Sequence, residues 1–167
     1  IDALVDRFYQ QQTAITEIAL LIGDADTLTR LRTAQRRYVL DLFSGHYDLE
    51  YVNNRLRIGL VHKRIGVEPK LYLAAINTLK ALLIEDIFEQ IRDEPERLVM
   101  LAALDKLFLF DITLVFETYI RSLVSEIESS KEKSEIYAKS LEEKVRERFG
   151  FGPKSIQDLK GIAGDPS

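Results

Sequence analysis

Three side chains stand where a packed helical core has no need of them. His62 shares a helical stripe with Ile58 and Ile65, so its imidazole turns the same way as two isoleucines. Gln35 falls in the middle of an apolar face made by Leu28, Leu31, Tyr38, Val39 and Leu42. Tyr9 follows Phe8 in an apolar-rich first segment. An imidazole in such a place can ligate a metal, or it can be a buried and hydrogen-bonded structural group. A buried amide without a partner costs a few kcal/mol, so Gln35 calls for a protein partner, a water or a ligand. Tyr9 reads equally well as a core tyrosine with its hydroxyl at the edge. His46, beside Gly45, reads as an exposed loop residue.

Other chemistries fail on residue type. The 167 residues contain no cysteine, which excludes disulfides, thiolate catalysis, cysteine-based zinc and iron–sulfur sites, and thioether-linked haem. With two histidines in all, a centre built from several imidazoles is excluded too. Metal chemistry would have to rest on His46, His62, carboxylates, or a cofactor bringing most of its own ligands. A phosphoacceptor role for His62 wants an acidic residue next to it, and Lys63-Arg64 stand there instead. The segment Gly150-Phe-Gly-Pro-Lys-Ser155 is no phosphate loop: Pro153 removes an amide from the cradle and no strand precedes it. Glu142-Glu143 read as solvated charges. The net charge of −4, with no large basic cluster, does not favour nucleic acid. No apolar run reaches the roughly 18 residues of a membrane span, and no signal peptide is present, so the expected location is cytoplasmic. The chain starts at Ile1 rather than Met, as expected of an excised piece.

The elements that would carry these residues are all helical. Prolines occur only at 69, 95, 153 and 166, glycine is sparse before 150, and no good alternating strand is present. A first helix is expected over about 2–22, with Leu4, Val5, Phe8, Ile15, Ile18, Leu21 and Ile22 as apolar positions and Gly23 as its stop. Asp24 or Asp26 caps a second helix that runs to about Phe43. A third spans about Asp48 to Gly66, and Glu68-Pro69 opens a fourth that reaches about Ile91. From Glu96 to about Phe149 nothing stops a fifth helix. Its first half is apolar nearly all round, from Leu104 through Phe108 to Phe116. A helix apolar on every side is packed on every side, and a second copy of the chain is the simplest partner.

After Ile127 the composition changes: 11 of the 21 residues from Ser129 to Phe149 are charged. Ile120, Ile127, Ser134 and Leu141 still keep a heptad step, as do Val124, Lys131, Ala138 and Val145. The expected organisation is therefore a globular domain over 1–128, a coiled-coil connector over 129–149, and a Gly/Pro-punctuated flexible tail over 150–167 that reads as loop, disorder or vector sequence. A solvated single helix is the alternative for the connector.

The run Ile58-Gly-Leu-Val-His62-Lys-Arg-Ile-Gly66-Val-Glu-Pro69 resembles the proximal-histidine segment of the globin-coupled sensors, the haem-binding sensor globins of bacteria. Phe8-Tyr9, with the aromatic Tyr38 placed 29 residues later, adds to the likeness, which covers about residues 1–128. The resemblance implies an all-α globin fold of the sensor type, with the helices that precede the tyrosine helix in the family absent from this chain. It implies non-covalent haem b held by His62 as iron ligand, and Tyr9 as hydrogen-bond donor to O2, with CO and NO as further ligands. Gln35 would be a second polar group near the gas, and Leu31 would gate access to it. Tyr38, Ile58 and Ile65 would complete the pocket.

The same resemblance implies a non-enzymatic sensor domain, dimeric through the fourth and fifth helices. It would control a C-terminal output module in cis; the segment Leu141-Glu-Glu-Lys-Val-Arg-Glu-Arg148 is similar to linkers preceding diguanylate cyclases. Two other readings stay open. A non-haem sensor globin serving as an interaction module would lack the histidine that this chain has. An O2-processing enzyme would want a reductase or an acid–base pair that nothing here supplies, and an O2-storage globin would leave the long final helix without a purpose.

Overall fold

The computed structural model describes residues 1–150, and every regular element among them is a helix. These are α1 (Asp2–Thr13), α2 (Thr16–Ile22), α3 (Ala25–Leu42), α4 (Leu49–Arg64), α5 (Pro69–Gln90) and α6 (Glu94–Phe149). The expected tail lies outside the described residues from position 151 onward.

Four of the five expected helices are present. The Asp24 carboxylate accepts from Thr27 N at the start of α3, and Asp48 accepts from Tyr51 N at the start of α4. Pro69 occupies the first turn of α5. The first expected helix is corrected: residues 2–22 form two helices, not one. The Thr13 hydroxyl donates back to the Tyr9 carbonyl at 2.8 Å, and Ile15 is extended at φ −90°, ψ 115°. β-Branched side chains at 13, 15 and 16 disfavour a continuous helix, and the hydroxyl back-bond competes with it. Apolar spacing carries through such a break unchanged, which is why periodicity alone reads one helix.

The chain divides into two compact units, residues 1–121 and 122 onward. In the first, α1 lies against α5 and α3. Its core joins Leu4, Val5 and Phe8 to Val39 and Leu42, Leu79 and Leu82, and Leu104, Phe108 and Val115. Ion pairs trim the edge of α1: Arg7 meets Asp86 at 2.7 Å and also Glu85, and Arg36 meets Asp2 at 2.7 Å. In the second unit the helix from 122 to 149 leaves Ile127, Ile136, Tyr137 and Leu141 exposed.

Helix α4 approaches α6 closely at Gly59. A Cβ on Gly59 would lie 1.8 Å from Thr118 Oγ1 and 2.8 Å from the Val115 carbonyl oxygen, so only glycine permits the approach. Two polar ties flank that point. Arg55 pairs with Asp111 through Nε, and the Tyr119 hydroxyl donates to the Val67 carbonyl at 2.9 Å. The backbone amide of Val67 in turn donates to the carbonyl of His62 at 2.9 Å. The segment carrying His62 is thus fastened to α6 on both sides of the histidine.

Candidate functional site

A cavity of about 1000 Å³ opens between α1, α2, α3, α4 and α5. That is the upper end of the roughly 300–1,000 Å³ usual for small-molecule and cofactor sites. All seven residues singled out as pocket residues line it: Tyr9, Leu31, Gln35, Tyr38, Ile58, His62 and Ile65. They do not contribute alike. Tyr9 is buried; Leu31, Gln35, Tyr38, Ile58 and His62 are half-buried; Ile65, the C-cap of α4, is 47% exposed and can form only the rim. Tyr38 turns its hydroxyl to the Asp111 carboxylate at 2.5 Å, so its contribution to the wall is the ring. His46 is exposed in the loop before α4.

The imidazole of His62 has a defined tautomer. Its Nδ1 lies 2.8 Å from the carbonyl oxygen of Ile58, which can only accept, so Nδ1 carries the proton. Burial lowers the pKa of the ring, with the Ile58 hydrogen bond working against it, so the neutral form prevails at pH 7. A neutral imidazole protonated at Nδ1 has its free lone pair on Nε2, which is the form that binds a metal. The ring of Tyr72 stands edge-on to it, with centroids 5.4 Å apart.

Tyr9 keeps its proton. Burial pushes its hydroxyl up to about 12, against the opposing charge of Arg32, so it remains a donor throughout the physiological range. The cavity wall also holds polar groups that sequence reasoning missed. Gln12 is 2% exposed, and neither atom of its amide has a hydrogen-bond partner. The buried Tyr72 hydroxyl has none either. Arg55, also in the wall, leaves its Nη2 unpaired. Each orphan costs about 1–3 kcal/mol, and three such residues in one wall mark a surface shaped for something the protein binds.

A second buried cluster adjoins the cavity. Asp111 is wholly buried and accepts from Tyr51 Oη at 2.6 Å, Tyr38 Oη at 2.5 Å and Arg55 Nε. Arg55 also reaches Asp41 at 2.9 Å, and its guanidinium lies 4.4 and 4.1 Å from the ring centroids of Tyr38 and Tyr51. The sequence signal for it was Asp111 itself, a lone carboxylate inside an apolar run from Leu107 to Phe116.

The donor set fits a flat apolar cofactor that carries four metal ligands of its own: one imidazole nitrogen is free to bind, and the remaining walls are largely hydrocarbon. Known proteins agree with the architecture. The profile of the Protoglobin family matches residues 1–125. The heme-based aerotactic transducer HemAT of Halobacterium salinarum is 31% identical over 84% of this chain and 32% of its own length, so the chain spans about a third of that relative. The globin domain of a Geobacter sulfurreducens globin-coupled sensor superposes with a TM-score of 0.66 at 26% identity, covering 70% of this chain and 77% of that one. The fold is therefore that of a sensor globin, and with the family match running from Ile1 to Ser125 the chain belongs to the Protoglobin family.

Proposed function

We propose that the chain is a haem-based gas-sensing domain, with O2 as its signal. The observation that carries this reading is the tautomer of His62: with Nδ1–H given to Ile58, a free Nε2 lone pair serves an apolar cavity of about 1000 Å³. Haem b, which His62 would hold through Nε2, would supply an iron able to bind a diatomic gas. With no cysteine in the chain no thioether can form, which supports non-covalent binding of the group. Tyr9 donates its hydroxyl proton to the gas, which favours O2 over the less polarised CO because a donor in a dry site rewards developing negative charge. Gln35 adds a second polar group, while Leu31, Tyr38, Ile58 and Ile65 exclude water and hold the plane of the cofactor.

The signal leaves through α6. Residues 55, 59 and 67 tie the His62 segment to positions 111, 118 and 119, so a displacement of His62 loads α6. Exposed Leu73 and Phe88 on α5, with Leu98, Val99 and Leu109 on α6, support a homodimer through these two helices. Residues 1–128 serve as the sensor and 129–149 as the connector to a cytoplasmic output module in cis. An aerotactic transducer among the relatives supports a signalling output, and the charged segment 141–148 favours a diguanylate cyclase. The fragment itself carries no catalytic role.

The test is the absorption spectrum of the purified chain titrated with haem. A Soret band with one equivalent bound is expected, and His62→Ala loses it. A His62→Ala variant that binds haem as well as the wild type would overturn the ligand assignment. Tyr9→Phe is expected to speed O2 dissociation by roughly tenfold, the worth of one well-placed hydrogen bond.

A further inference from the structure

Helix α1 turns one face inward: Leu4, Val5, Phe8, Tyr9 and Gln12 are its buried residues. Four of them are ordinary core side chains or, in Tyr9, an aromatic ring. The fifth is an amide at a position where leucine would satisfy the packing. Gln12 stands three residues after Tyr9, which puts both on one side of the helix, one turn apart. Both line the same cavity. Gln12 is 2% exposed, yet neither its Nε2 nor its Oε1 meets a hydrogen-bond partner.

A structural role does not account for that amide. The fold surrounds the buried Asp111 with two tyrosine hydroxyls and an arginine, and even Arg55, whose Nη2 is unpaired, is held by two carboxylates. Gln35, the other glutamine of the wall, is half-buried on α3 and so retains access to water. Gln12 has no protein partner and almost no exposure to solvent. It can be satisfied only by a group that enters the cavity, or by the Tyr9 hydroxyl once that hydroxyl is turned towards such a group.

We propose that Gln12 is a further polar determinant of the gas site, acting beside Tyr9 and in addition to Gln35 to set how long a polarised diatomic ligand stays. This rests on the haem-sensor reading above. The amide offers what Tyr9 cannot: an acceptor for the tyrosine proton when no gas is present, and a donor when one is. Gln12 also discriminates between gases, because its dipole rewards O2, which takes up negative charge, more than CO.

The experiment compares the haem-loaded wild type with Gln12→Leu, reading O2 dissociation by stopped flow and the C–O stretch of the CO complex by infrared. Gln12→Leu is expected to release O2 roughly three- to tenfold faster, the span of one ordinary hydrogen bond. The C–O stretch should move to higher frequency as polarity is lost, and the haem-free variant should melt no lower than wild type, since an unpaired amide has been removed. Gln12→Met, closer in shape, is read the same way if the leucine variant does not fold. A folded variant with wild-type dissociation and an unmoved C–O stretch overturns the inference while leaving the sensor reading intact. A wild-type chain that shows no Soret band overturns both.

Discussion

Two groups of buried polar side chains in the protein are treated differently. Between α3, α4 and α6, Asp111 receives hydrogen bonds from Tyr38, Tyr51 and Arg55, and Arg55 in turn spans to Asp41, with only its Nη2 left unpaired. Along the cavity, Gln12 and the Tyr72 hydroxyl receive none. The first arrangement is what a fold needs to keep a charge out of water. The second is a standing cost that the fold carries without return until something fills the cavity. The contrast separates groups that hold the helices from groups held ready, and it makes opposite predictions for substitutions on the two sides.

The largest effect belongs to the paired cluster. Asp111→Ala leaves Arg55 charged, 1% exposed and without its main counter-charge, and it strands two tyrosine hydroxyls. Breaking a buried pair from one side costs about 3–5 kcal/mol, which urea unfolding of the haem-free chain should register as a lower midpoint at unchanged slope. Burial and the nearby carboxylate both hold the Tyr38 proton on well above the ordinary tyrosine range, so Tyr38 remains a donor to Asp111 across the neutral range. An Asp111→Ala midpoint close to wild type would erase the distinction between the two regions.

Gly59→Ala comes next. The new methyl meets Thr118 Oγ1 and, less negotiably, the Val115 carbonyl, so α4 must move away from α6. Overpacking of this kind costs about 1–3 kcal/mol. Thr118→Ala removes the side-chain clash but not the backbone one, so the double variant should recover only part of the loss. Complete recovery would mean that the helices are held apart by the threonine alone.

Legibility in the sequence followed the same divide. Asp24, Asp48 and Pro69 mark helix starts that the structure has, because each signal is local. The break at Ala14–Ile15 is set by one hydroxyl back-bond and one extended residue, with no Gly or Pro to announce it. His62 and Gln35 drew notice by interrupting apolar stripes. Gln12 did not, since it sits in the polar run Gln10-Gln11-Gln12-Thr13, and only its register with Val5 and Phe8 turns it inward. Arg55 and Asp111 were hidden for a different reason. A charge is read as surface unless its partner is known, and this partner stands 56 residues away.

His62 offers a smaller and graded test. Desolvation lowers its folded pKa, while in the unfolded chain it titrates near about 6.5. The fold thus binds fewer protons than the unfolded chain between those two values. Stability from keeping this ring neutral is present above the unfolded pKa and is lost as pH falls towards the folded one. The haem-free wild type should lose stability between pH 7.5 and 5 more steeply than His62→Leu, with His46 common to both. Parallel curves would show that the ring gives up no solvation on folding.

The smallest effect is expected at Tyr72, and its sign carries the argument. The ring is needed: Tyr72 is 4% exposed and lies edge-on to His62 at 5.4 Å. The hydroxyl is not, since it is buried and unpaired, and burial drives its pKa far up so that it never escapes as an anion. Tyr72→Phe keeps the packing and removes only the orphan. In the haem-free chain it should therefore leave stability unchanged or raise it by up to about 1 kcal/mol, where truncating a satisfied buried tyrosine hydroxyl normally lowers it by a similar amount. Tyr51→Phe is the matched control, because its hydroxyl donates to Asp111 at 2.6 Å and its loss should be felt. If both substitutions destabilise equally, Tyr72 has a partner in solution and the cavity wall is no different from the core. If they differ in sign, the fold carries the unpaired hydroxyl at a cost, and the benefit must be sought in whatever the cavity receives.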